Sequence, residues 1–289
     1  MKITDLIGNT PLVEVSSPNP NVKIYCKLEG QNPGGSVKDR AALSMIQSAM
    51  ERGSIKPGDH LVEATSGNTG IALAMIAQSL GLHMHLLMPE TATAERVGTM
   101  RAYGAEVILT PGDRTIEYSR ELAENLVEEK GYFMLNQFGN PDNWKAHYRS
   151  TGPEIYGDTK GNITHFVSSM GTTGTIMGVS RYLKKQDPAI QIIGAQPTEG
   201  SKIPGIRRWS PEFLPAIFEA SRVDRIMDVS QEEAQKTMIS MAHEESIFAG
   251  VSSGGALFLA RKLAEEINTG TIVCITCDRG DRYLSSNLF

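Results

Sequence analysis

A lysine that follows two glycines is the residue with the clearest chemical potential in this sequence. Lys38 lies in the segment Asn32-Pro-Gly-Gly-Ser-Val-Lys-Asp-Arg40, which leads into a helical pattern of apolar residues. We predict that Ser36 caps this helix and that Asp39 completes a near capping box, which places Lys38 in the first turn. The helix dipole favours a neutral amine there. A neutral amine can form a Schiff base or remove a proton, although an isolated lysine is usually a solvated surface residue.

Hydroxyl side chains are concentrated in a second segment, Glu63-Ala-Thr-Ser-Gly-Asn-Thr-Gly70, between a predicted strand and a predicted helix. Thr65, Ser66 and Thr69, together with backbone N–H groups at the helix start, form an anion pocket suited to a carboxylate. Asn68 adds an amide that could meet a hydroxyl or a phenolate. The same residues would also make a well-capped turn without any ligand.

A third segment, Ser168-Ser-Met-Gly-Thr-Thr-Gly-Thr175, repeats the order of strand, glycine turn and helix. Gly171 and Gly174 would expose backbone N–H donors at a helix N-terminus, which suits a phosphate. The hydroxyl groups around that phosphate would be those of Thr172, Thr173 and Thr175. A nucleotide site fits less well, because the segment lacks the Lys-Ser/Thr ending of a P-loop and the third glycine of a dinucleotide fingerprint.

Three further segments carry weaker signals. Gly250-Val-Ser-Ser-Gly-Gly255 opens a predicted helix, and Cys277-Asp-Arg-Gly-Asp-Arg-Tyr283 follows the last predicted strand. Both lie where strands meet helices, the usual place for ligands in open parallel sheets. Pro204-Gly-Ile-Arg-Arg-Trp209 is predicted to be an exposed, mobile loop with two charges and an indole.

Metal, redox and hydrolase chemistry are not favoured. The six histidines are dispersed without a His-Glu-x-x-His spacing, and Gly-x-Ser-x-Gly is missing. Cys274 and Cys277 are predicted on one strand, where residues three apart face opposite sides of the sheet. A shared zinc ion or redox pair is therefore not expected from them. The histidines are His60, His83, His85, His147, His165 and His243.

The elements that must position these residues alternate between short apolar runs and segments of helical period, which indicates βα units around mostly parallel sheets. We predict strands at 22–28, 60–65, 83–88, 105–109, 132–135, 165–169, 191–195, 225–229 and 271–277. We predict helices at 36–50, 68–80, 115–129, 176–185, 231–244 and 253–267. The polar, turn-prone segment 136–143 is the predicted crossing between two lobes.

Composition and charge favour an enzyme that acts on small molecules. The chain has 289 residues, of which 40% are hydrophobic and 21% charged, and this suits about two ordinary globular domains. A formal net charge of −5 does not recommend a nucleic-acid or acidic-membrane partner. No apolar run approaches the ~18 residues of a membrane span, and the N-terminus lacks a signal-peptide h-region. We therefore expect a cytoplasmic protein.

Taken together, the segments around Lys38, Asn68 and Gly171 resemble the cysteine synthase (O-acetylserine sulfhydrylase) family of fold type II pyridoxal-phosphate enzymes. The similarity extends from Ile7-Gly-Asn-Thr-Pro-Leu12 to Asp278-Arg-Gly-Asp-Arg-Tyr-Leu284. It implies an α/β fold like that of tryptophan synthase β, with two α/β lobes and mostly parallel central sheets. The resemblance places residues 1–34 and 143–289 in a larger lobe that binds the cofactor phosphate, and residues 35–142 in a smaller, mobile, substrate-binding lobe.

The resemblance also implies roles for individual residues. Lys38 would form the Schiff base with pyridoxal 5'-phosphate, and Asn68 would meet the phenolic oxygen of the cofactor. Gly171, Thr172, Thr173, Gly174 and Thr175 would hold its phosphate. The substrate carboxylate would be bound by Thr65, Ser66, Thr69 and Gln137.

The partner of the pyridine nitrogen has two candidates, Ser252 and Cys277, of which we favour Ser252. A neutral partner would leave the pyridine unprotonated and limit it as an electron sink, which suits β-elimination. No metal ion is expected in this site.

Two segments resemble the B-type cysteine synthase, which accepts thiosulfate as well as sulfide. They are Gly205-Ile-Arg-Arg-Trp209 and Cys277-Asp-Arg-Gly-Asp-Arg-Tyr-Leu284. Arg207, Arg208 and Trp209 would gate the site or meet anionic thiosulfate. The family resemblance further implies a homodimer, and the ending Asn287-Leu-Phe289 is shorter than expected for the family.

The reaction implied is a β-replacement in two stages. Lys38 removes the α-proton of O-acetylserine, acetate leaves, a sulfur nucleophile adds, and Lys38 returns the proton to give cysteine or S-sulfocysteine. Two enzymatic alternatives are a related serine or threonine dehydratase and a sulfhydrylase that uses O-phosphoserine. A non-catalytic binding module with the same lobes is an alternative from another class.

Overall fold

The computed structural model describes every residue except Thr115, Asn287 and Phe289. The described residues form ten β-strands in two sheets. The strands are β1 (Leu12–Val15), β2 (Val22–Leu28), β3 (His60–Ala64), β4 (His83–Pro89), β5 (Glu106–Thr110), β6 (Phe133–Met134), β7 (His165–Ser169), β8 (Gln191–Pro197), β9 (Arg225–Val229) and β10 (Gly270–Thr276).

Nine α-helices cover these sheets in the described part of the chain. They are α1 (Lys38–Glu51), α2 (Asn68–Ser79), α3 (Ala94–Ala102), α4 (Ile116–Lys130), α5 (Pro141–Arg149), α6 (Thr151–Asp158), α7 (Gly174–Gln186), α8 (Gln231–Glu244) and α9 (Val251–Glu266). Short 3₁₀ helices occur at Ile3–Leu6, Glu29–Gln31, Pro211–Phe213, Ala220–Arg222 and Gly280–Ser286. Among the helices so described, none has both the length and the apolar content needed to cross a membrane.

The larger sheet has the strand order β1-β2-β10-β7-β8-β9, in which only β1 runs antiparallel to its neighbour. The smaller sheet has the order β5-β4-β3-β6 and is parallel throughout. Its four strands all lie between residues 60 and 134. The predicted α/β class with mostly parallel sheets is therefore confirmed, while the exact lobe boundaries stay a prediction.

Strand β10 shows why the larger sheet is buried on both faces. Ile272 and Cys274 pack into one apolar cluster, while the alternate residues Val273 and Ile275 pack into another. Both faces of a parallel strand are covered in this way when helices flank the sheet on each side. Cys277 packs with the second cluster, so the prediction that Cys274 and Cys277 face opposite sides is confirmed.

Most predicted elements occur within a few residues of their predicted bounds, but four were missed: β1, α3, α5 and α6. The predicted helix 115–129 corresponds to α4, and its first residue, Thr115, lies outside the described residues. Within the predicted crossing 136–143, the Asn140 side chain accepts a hydrogen bond from the Asp142 N–H at 2.9 Å, and Pro141 begins α5. Helix α5 then packs against both α1 and α7, and so links the two sheets.

Candidate active site

Three loops at the carboxyl ends of parallel strands meet through a pair of side-chain contacts. The Thr69 hydroxyl donates to Oε1 of Gln137 at 2.8 Å. The amide of Asn143 donates to the Gln137 carbonyl at 2.7 Å and to the Thr172 hydroxyl at 3.2 Å. The candidate carboxylate pocket and the candidate phosphate loop are therefore joined through Gln137 and Asn143. Asn143 was missed in the sequence, where it reads as one more turn residue.

Lys38 is the first residue of α1, as predicted, but the capping prediction is wrong. Val37 occupies the N-cap position, and no side chain among the described residues caps the helix. The Ser36 hydroxyl instead accepts from the Lys38 N–H at 3.2 Å. The Asp39 carboxylate accepts from the Gly34 N–H at 2.5 Å, because the glycine turn folds back over the helix start. Asp39 is fully buried, and burial raises its pKa to about 7.

The turn before Lys38 is fixed against the end of β10. The Val37 N–H donates to the Cys277 carbonyl at 2.8 Å, and Ser36 forms an isolated antiparallel bridge with Asp278. Gly35 adopts a φ of +79°, a left-handed conformation that glycine reaches without a steric penalty. The last strand of the larger sheet thus determines where the lysine stands.

The loop between β7 and α7 has the backbone of an anion site. Thr173 has a φ of +70°, and its buried hydroxyl has no hydrogen-bond partner among the described residues. A left-handed residue in such a turn can direct backbone N–H groups toward an anion, an arrangement called a nest. A Cβ at Gly171 would stand 2.4 Å from the Gly205 carbonyl oxygen, and one at Gly174 would stand 2.0 Å from Oδ1 of Asn143. Both glycines are therefore required for the loop to pack.

A buried histidine supports this loop from below and was missed in the sequence. His147 shares a hydrogen bond with Thr151 at 2.9 Å and one with Thr175 at 3.4 Å. Burial, together with the charges of Arg40 and Lys38, lowers the pKa of His147 well below its usual value. The ring is consequently neutral near pH 7 and orients the Thr175 hydroxyl without adding a charge.

Glu63 is a second buried residue that sequence reasoning missed. Its carboxylate accepts from the N–H of Asn136 at 3.0 Å and from that of Gln137 at 3.5 Å. Burial raises the pKa of Glu63 to about 7, although these N–H groups oppose the shift. Asn136 adopts a φ of +54°. Glu63 therefore holds the strained turn that carries Gln137, and its only signal in the sequence is an acidic residue inside an apolar strand.

The remaining residues of the candidate carboxylate pocket lie in the turn between β3 and α2. Thr65 is buried, and its hydroxyl accepts from the Gly67 N–H at 3.4 Å. Ser66 lies beside it, half-buried, one turn before Thr69. The predicted pocket residues are thus brought to one edge of the smaller sheet.

Asn68 contacts the C-terminal segment of the chain. Its Nδ2 donates to Oδ2 of Asp278 at 2.7 Å, and its Oδ1 accepts from Arg282. Oδ2 of Asp278 also accepts from the Tyr283 hydroxyl at 2.7 Å, whereas its buried Oδ1 has no partner among the described residues. Asp278 and Arg282 were quoted only as part of a motif and were not predicted as site residues.

The two candidates for the pyridine nitrogen are neighbours. Ser252 is buried in the first turn of α9, and Cys277 follows directly after β10. Burial raises the pKa of Cys277 to about 11, while Lys38 and Ser252 act in the opposite direction. Cys277 is therefore a neutral thiol near pH 7. Cys277 is close to both Ser252 and Lys38, and the choice between the two candidates stays a prediction.

The two arginines of the loop 204–209 have different surroundings. Trp209 donates from its indole to the Gly171 carbonyl at 2.8 Å and meets Phe138 edge to face at 5.7 Å. The Arg207 guanidinium lies over the Trp209 ring at 5.4 Å. Arg208 instead donates to the Pro197 carbonyl at 3.0 Å and pairs with Asp228 on the outer surface. Trp209 therefore borders the candidate phosphate loop, whereas Arg208 contacts residues of β8 and β9.

The prediction that the histidines are dispersed is wrong for three of them. His60 and His83 stack with ring centroids 4.6 Å apart, and His60 shares a 2.8 Å hydrogen bond with His85. They meet because β3 and β4 pair in register and residues two apart on a strand share one face. Among the residues that the structure describes, no group of three or more histidine, cysteine or acidic side chains is arranged to hold a metal ion.

The chain matches known proteins over nearly its full length. A family model described as pyridoxal-phosphate dependent enzyme matches residues 3–278. The chain is 58% identical to cysteine synthase B of Pseudomonas aeruginosa, over 99% of this chain and 97% of that protein. It is 56% identical to cysteine synthase B of Escherichia coli, over 98% and 94%. The crystal structure of O-acetyl serine sulfhydrylase isoform 3 from Entamoeba histolytica is similar with a TM-score of 0.93 and 36% identity, over 99% of this chain and 90% of that one.

Proposed function

Because the chain belongs to the pyridoxal-phosphate-dependent enzymes, and within them to the cysteine synthases, we propose that it makes L-cysteine from O-acetyl-L-serine and sulfide. The family resemblance found in the sequence is confirmed by these matches. One structural observation carries the proposal to this chain. The turn before Lys38 is joined to the start of α2 through Arg282, and the Thr69–Gln137 contact at that helix is joined to the Thr172 loop through Asn143.

The residues present fit pyridoxal 5'-phosphate. The buried hydroxyl of Thr173, which has no partner among the described residues, and the left-handed backbone of Thr173 fit a phosphate at the start of α7. We assign the phosphate to residues 171–175, the phenolic oxygen to Asn68 and the covalent link to Lys38. Ser252, rather than Cys277, is our choice for the ring nitrogen. When bound, the cofactor withdraws electrons from the α-carbon of the amino acid joined to it.

We propose that the turn between β3 and α2 binds the substrate carboxylate. Thr65, Ser66, Thr69 and Gln137 offer hydroxyl and amide donors there, and the N-terminus of α2 adds backbone N–H groups and a favourable dipole. The Thr69 hydroxyl donates its hydrogen to Oε1 of Gln137, which orients the Gln137 amide and leaves its Nε2 hydrogens available before the substrate arrives, so less entropy is lost on binding. Glu63 keeps Gln137 in place from behind.

Lys38 is the proposed acid and base of the reaction. Its amine takes the α-proton of the bound amino acid and holds it while the bond from the β-carbon to the acetate oxygen breaks. Sulfide then forms the new bond to that carbon, and Lys38 returns the proton to the α-carbon. Trp209 and Phe138 lie beside the phosphate loop, where they would exclude water from this step.

We further propose that thiosulfate is a second sulfur donor and that Arg207 recognises it. Arg207 lies over Trp209 next to the phosphate loop, whereas Arg208 is paired with Asp228 on the outer surface. We expect Arg207→Ala to slow thiosulfate turnover more than sulfide turnover. Arg208→Ala is the matched control, with little effect on either donor. Equal slowing of both donors by Arg207→Ala would refute selective recognition of the anion.

A cytoplasmic homodimer is also part of the proposal. Phe213 and Leu284 expose 72% and 59% of their surface, and such apolar side chains are surfaces that a second subunit could cover. Sedimentation velocity at micromolar concentration measures the assembly state directly. A monomer under these conditions would refute the dimer and leave the proposed activity unaffected.

The main test is steady-state kinetics with O-acetylserine and O-phosphoserine, each with sulfide and with thiosulfate. We expect O-acetylserine with sulfide to give cysteine at the highest kcat/KM. Pyruvate or a 2-oxo acid formed without sulfide would favour the dehydratase alternative, and preference for O-phosphoserine would change the leaving group. Lys38→Ala should lose both turnover and the covalent link, while phosphate binding persists. A wild-type protein that stays colourless with added pyridoxal phosphate would favour the non-catalytic module.

A further inference from the structure

One arginine near the C-terminus contacts two loops of the candidate site at once. Arg282 lies in the 3₁₀ helix Gly280–Ser286, and its guanidinium donates to Oδ1 of Asn68 and to the carbonyl of Gly34. Gly34 precedes the turn that presents Lys38. A single side chain thus joins the lysine turn to the loop that begins α2.

The contacts of Asn68 allow only one orientation of its amide. A guanidinium has hydrogen-bond donors alone, and an ionised carboxylate has acceptors alone. Oδ1 of Asn68 accepts from Arg282, while Nδ2 donates to Asp278 at 2.7 Å. Rotating the amide by half a turn would place its NH₂ group against the guanidinium and its oxygen against the carboxylate. Both contacts would then be repulsive.

This orientation determines what Asn68 can offer a ligand. Nδ2 carries two hydrogens, and Asp278 uses one of them, so the second remains to be donated. A ligand that faces this hydrogen must be an acceptor, such as a phenolic oxygen with a negative charge. If the amide were free to rotate, its oxygen would face the same atom for part of the time and would repel it.

Gly35 leaves room for the Arg282 guanidinium beside the lysine turn. A Cβ on Gly35 would stand 2.7 Å from Nη2 of Arg282, so glycine is required there for steric reasons as well as for its φ of +79°. In the part of the chain that the structure describes, Arg282 forms no ion pair with a carboxylate, in contrast to Arg279, which pairs with Asp281 at 3.1 Å. The charge of Arg282 is therefore directed at the two neutral acceptors.

We propose that Arg282 is a positioning residue that, together with Asp278, holds the Asn68 amide with its N–H toward the phenolic oxygen of the cofactor. The inference rests on the proposed function, because it assumes that Asn68 meets that oxygen. Arg282 does not touch the reacting atoms and acts through Asn68. Its second contact, with the Gly34 carbonyl, holds the lysine turn at a constant distance from the amide.

The test uses the holoenzyme and the variants Arg282→Gln, Arg282→Lys and Asn68→Ala. An N–H donor stabilises the ionised phenolic oxygen, so its loss should shift the visible absorption of the bound cofactor toward shorter wavelength. We expect this shift in Arg282→Gln, with kcat/KM lower by about 10- to 100-fold, the effect of one hydrogen bond to a charged group. Arg282→Lys should recover part of both effects, because an ammonium reaches one acceptor but cannot bridge two.

A double-variant cycle separates positioning from general stability. If Arg282 acts through Asn68, the double variant Asn68→Ala/Arg282→Gln should show the absorption of Asn68→Ala alone, since there is no amide left to orient. Arg279→Gln is the matched control from the same segment, and it should keep the wild-type spectrum. Thermal unfolding of each variant shows whether a loss reflects misfolding, and Arg282→Lys replaces Arg282→Gln as the test if the latter does not fold.

The results that would overturn this inference differ from those that would overturn the assignment of Asn68 and Lys38. A wild-type spectrum and wild-type kcat/KM in Arg282→Gln, or effects of Asn68→Ala and Arg282→Gln that multiply in the double variant, would overturn this inference alone. Absence of a covalent link at Lys38 in the unmodified enzyme, or an Asn68→Ala spectrum identical to wild type, would instead overturn the assignment on which it rests.

Discussion

Replacing Arg40 by methionine tests whether a buried ion network holds the helix that carries Lys38. The Arg40 side chain is 2% exposed and pairs with the fully buried Glu29 through two contacts, at 2.7 and 2.8 Å. It also pairs with Glu154 at 2.6 and 2.7 Å. Methionine replaces the aliphatic stem of arginine but has no guanidinium group, so the change removes the charge and the hydrogen bonds while keeping the apolar part of the side chain.

The magnitude follows from what remains around Glu29. Without Arg40, the partners that the carboxylate retains among the described residues are the Thr10 hydroxyl at 2.7 Å and the Asn32 amide at 2.9 Å. Breaking one side of a buried ion pair in this way costs about 3–5 kcal/mol, because the other charge is left without compensation. The matched control is Arg225→Met, which breaks an exposed pair with Glu266 and costs at most about 1 kcal/mol.

Equilibrium urea unfolding of the apoprotein, followed by circular dichroism, measures both changes. We expect the free energy of unfolding of Arg40→Met to fall by at least about 2 kcal/mol more than that of Arg225→Met, the difference between the buried and exposed cases. The double variant Glu29→Gln/Arg40→Met should recover part of the loss, since it removes the uncompensated charge. A single variant within about 1 kcal/mol of wild type, the range of a surface pair, would refute the reasoning. So would a double variant no more stable than the single one.

Two further predictions concern the phosphate loop. Gly171→Ala should weaken pyridoxal-phosphate binding, measured by absorbance titration, because its Cβ would meet the Gly205 carbonyl oxygen at 2.4 Å; Gly157→Ala, with open space around it, should not, and equal affinities would contradict the packing argument. Because the pKa of His147 is lowered in the folded protein, the unfolded chain binds a proton at this residue first as the pH falls. The contribution of His147 to stability should therefore be complete above about pH 6.5, the ordinary histidine value, and should be lost below it. His147→Gln should flatten this fall in urea unfolding from pH 5 to 8, and an unchanged slope would show that another group is responsible.

The sequence predicted the ligand loops better than the groups that hold them. Gly171, Thr173 and Lys38 could be proposed from the sequence because a glycine turn between strand and helix is a local signal with a physical reason. Glu63 and His147 were missed because their function depends on burial and on partners distant along the chain. Their environment exists only after the sheets have packed.

Helix boundaries were predicted wrongly where the same residue types occur both in turns and at helix starts. Asn140 and Pro141 are typical of turns, and the segment was predicted as a crossing, yet the same pair forms an N-cap and first helical residue. The capping box at Ser36 failed for a related reason, because the nearby Gly34 N–H competes for the Asp39 carboxylate. His60, His83 and His85 met through strand register, which spacing along one strand cannot reveal.

The position of β10 has a consequence for how the protein is made. This strand lies between β2 and β7 in the middle of the larger sheet, although it is the last strand in the described sequence. During synthesis on the ribosome, β2 and β7 therefore each have one unpaired edge until residue 276 has emerged. Unpaired strand edges can associate with other chains. All four strands of the smaller sheet have been synthesised by residue 134, so this sheet can pair its strands much earlier. The turn that presents Lys38, which hydrogen-bonds to Cys277, can become fixed only after residue 277 has been synthesised.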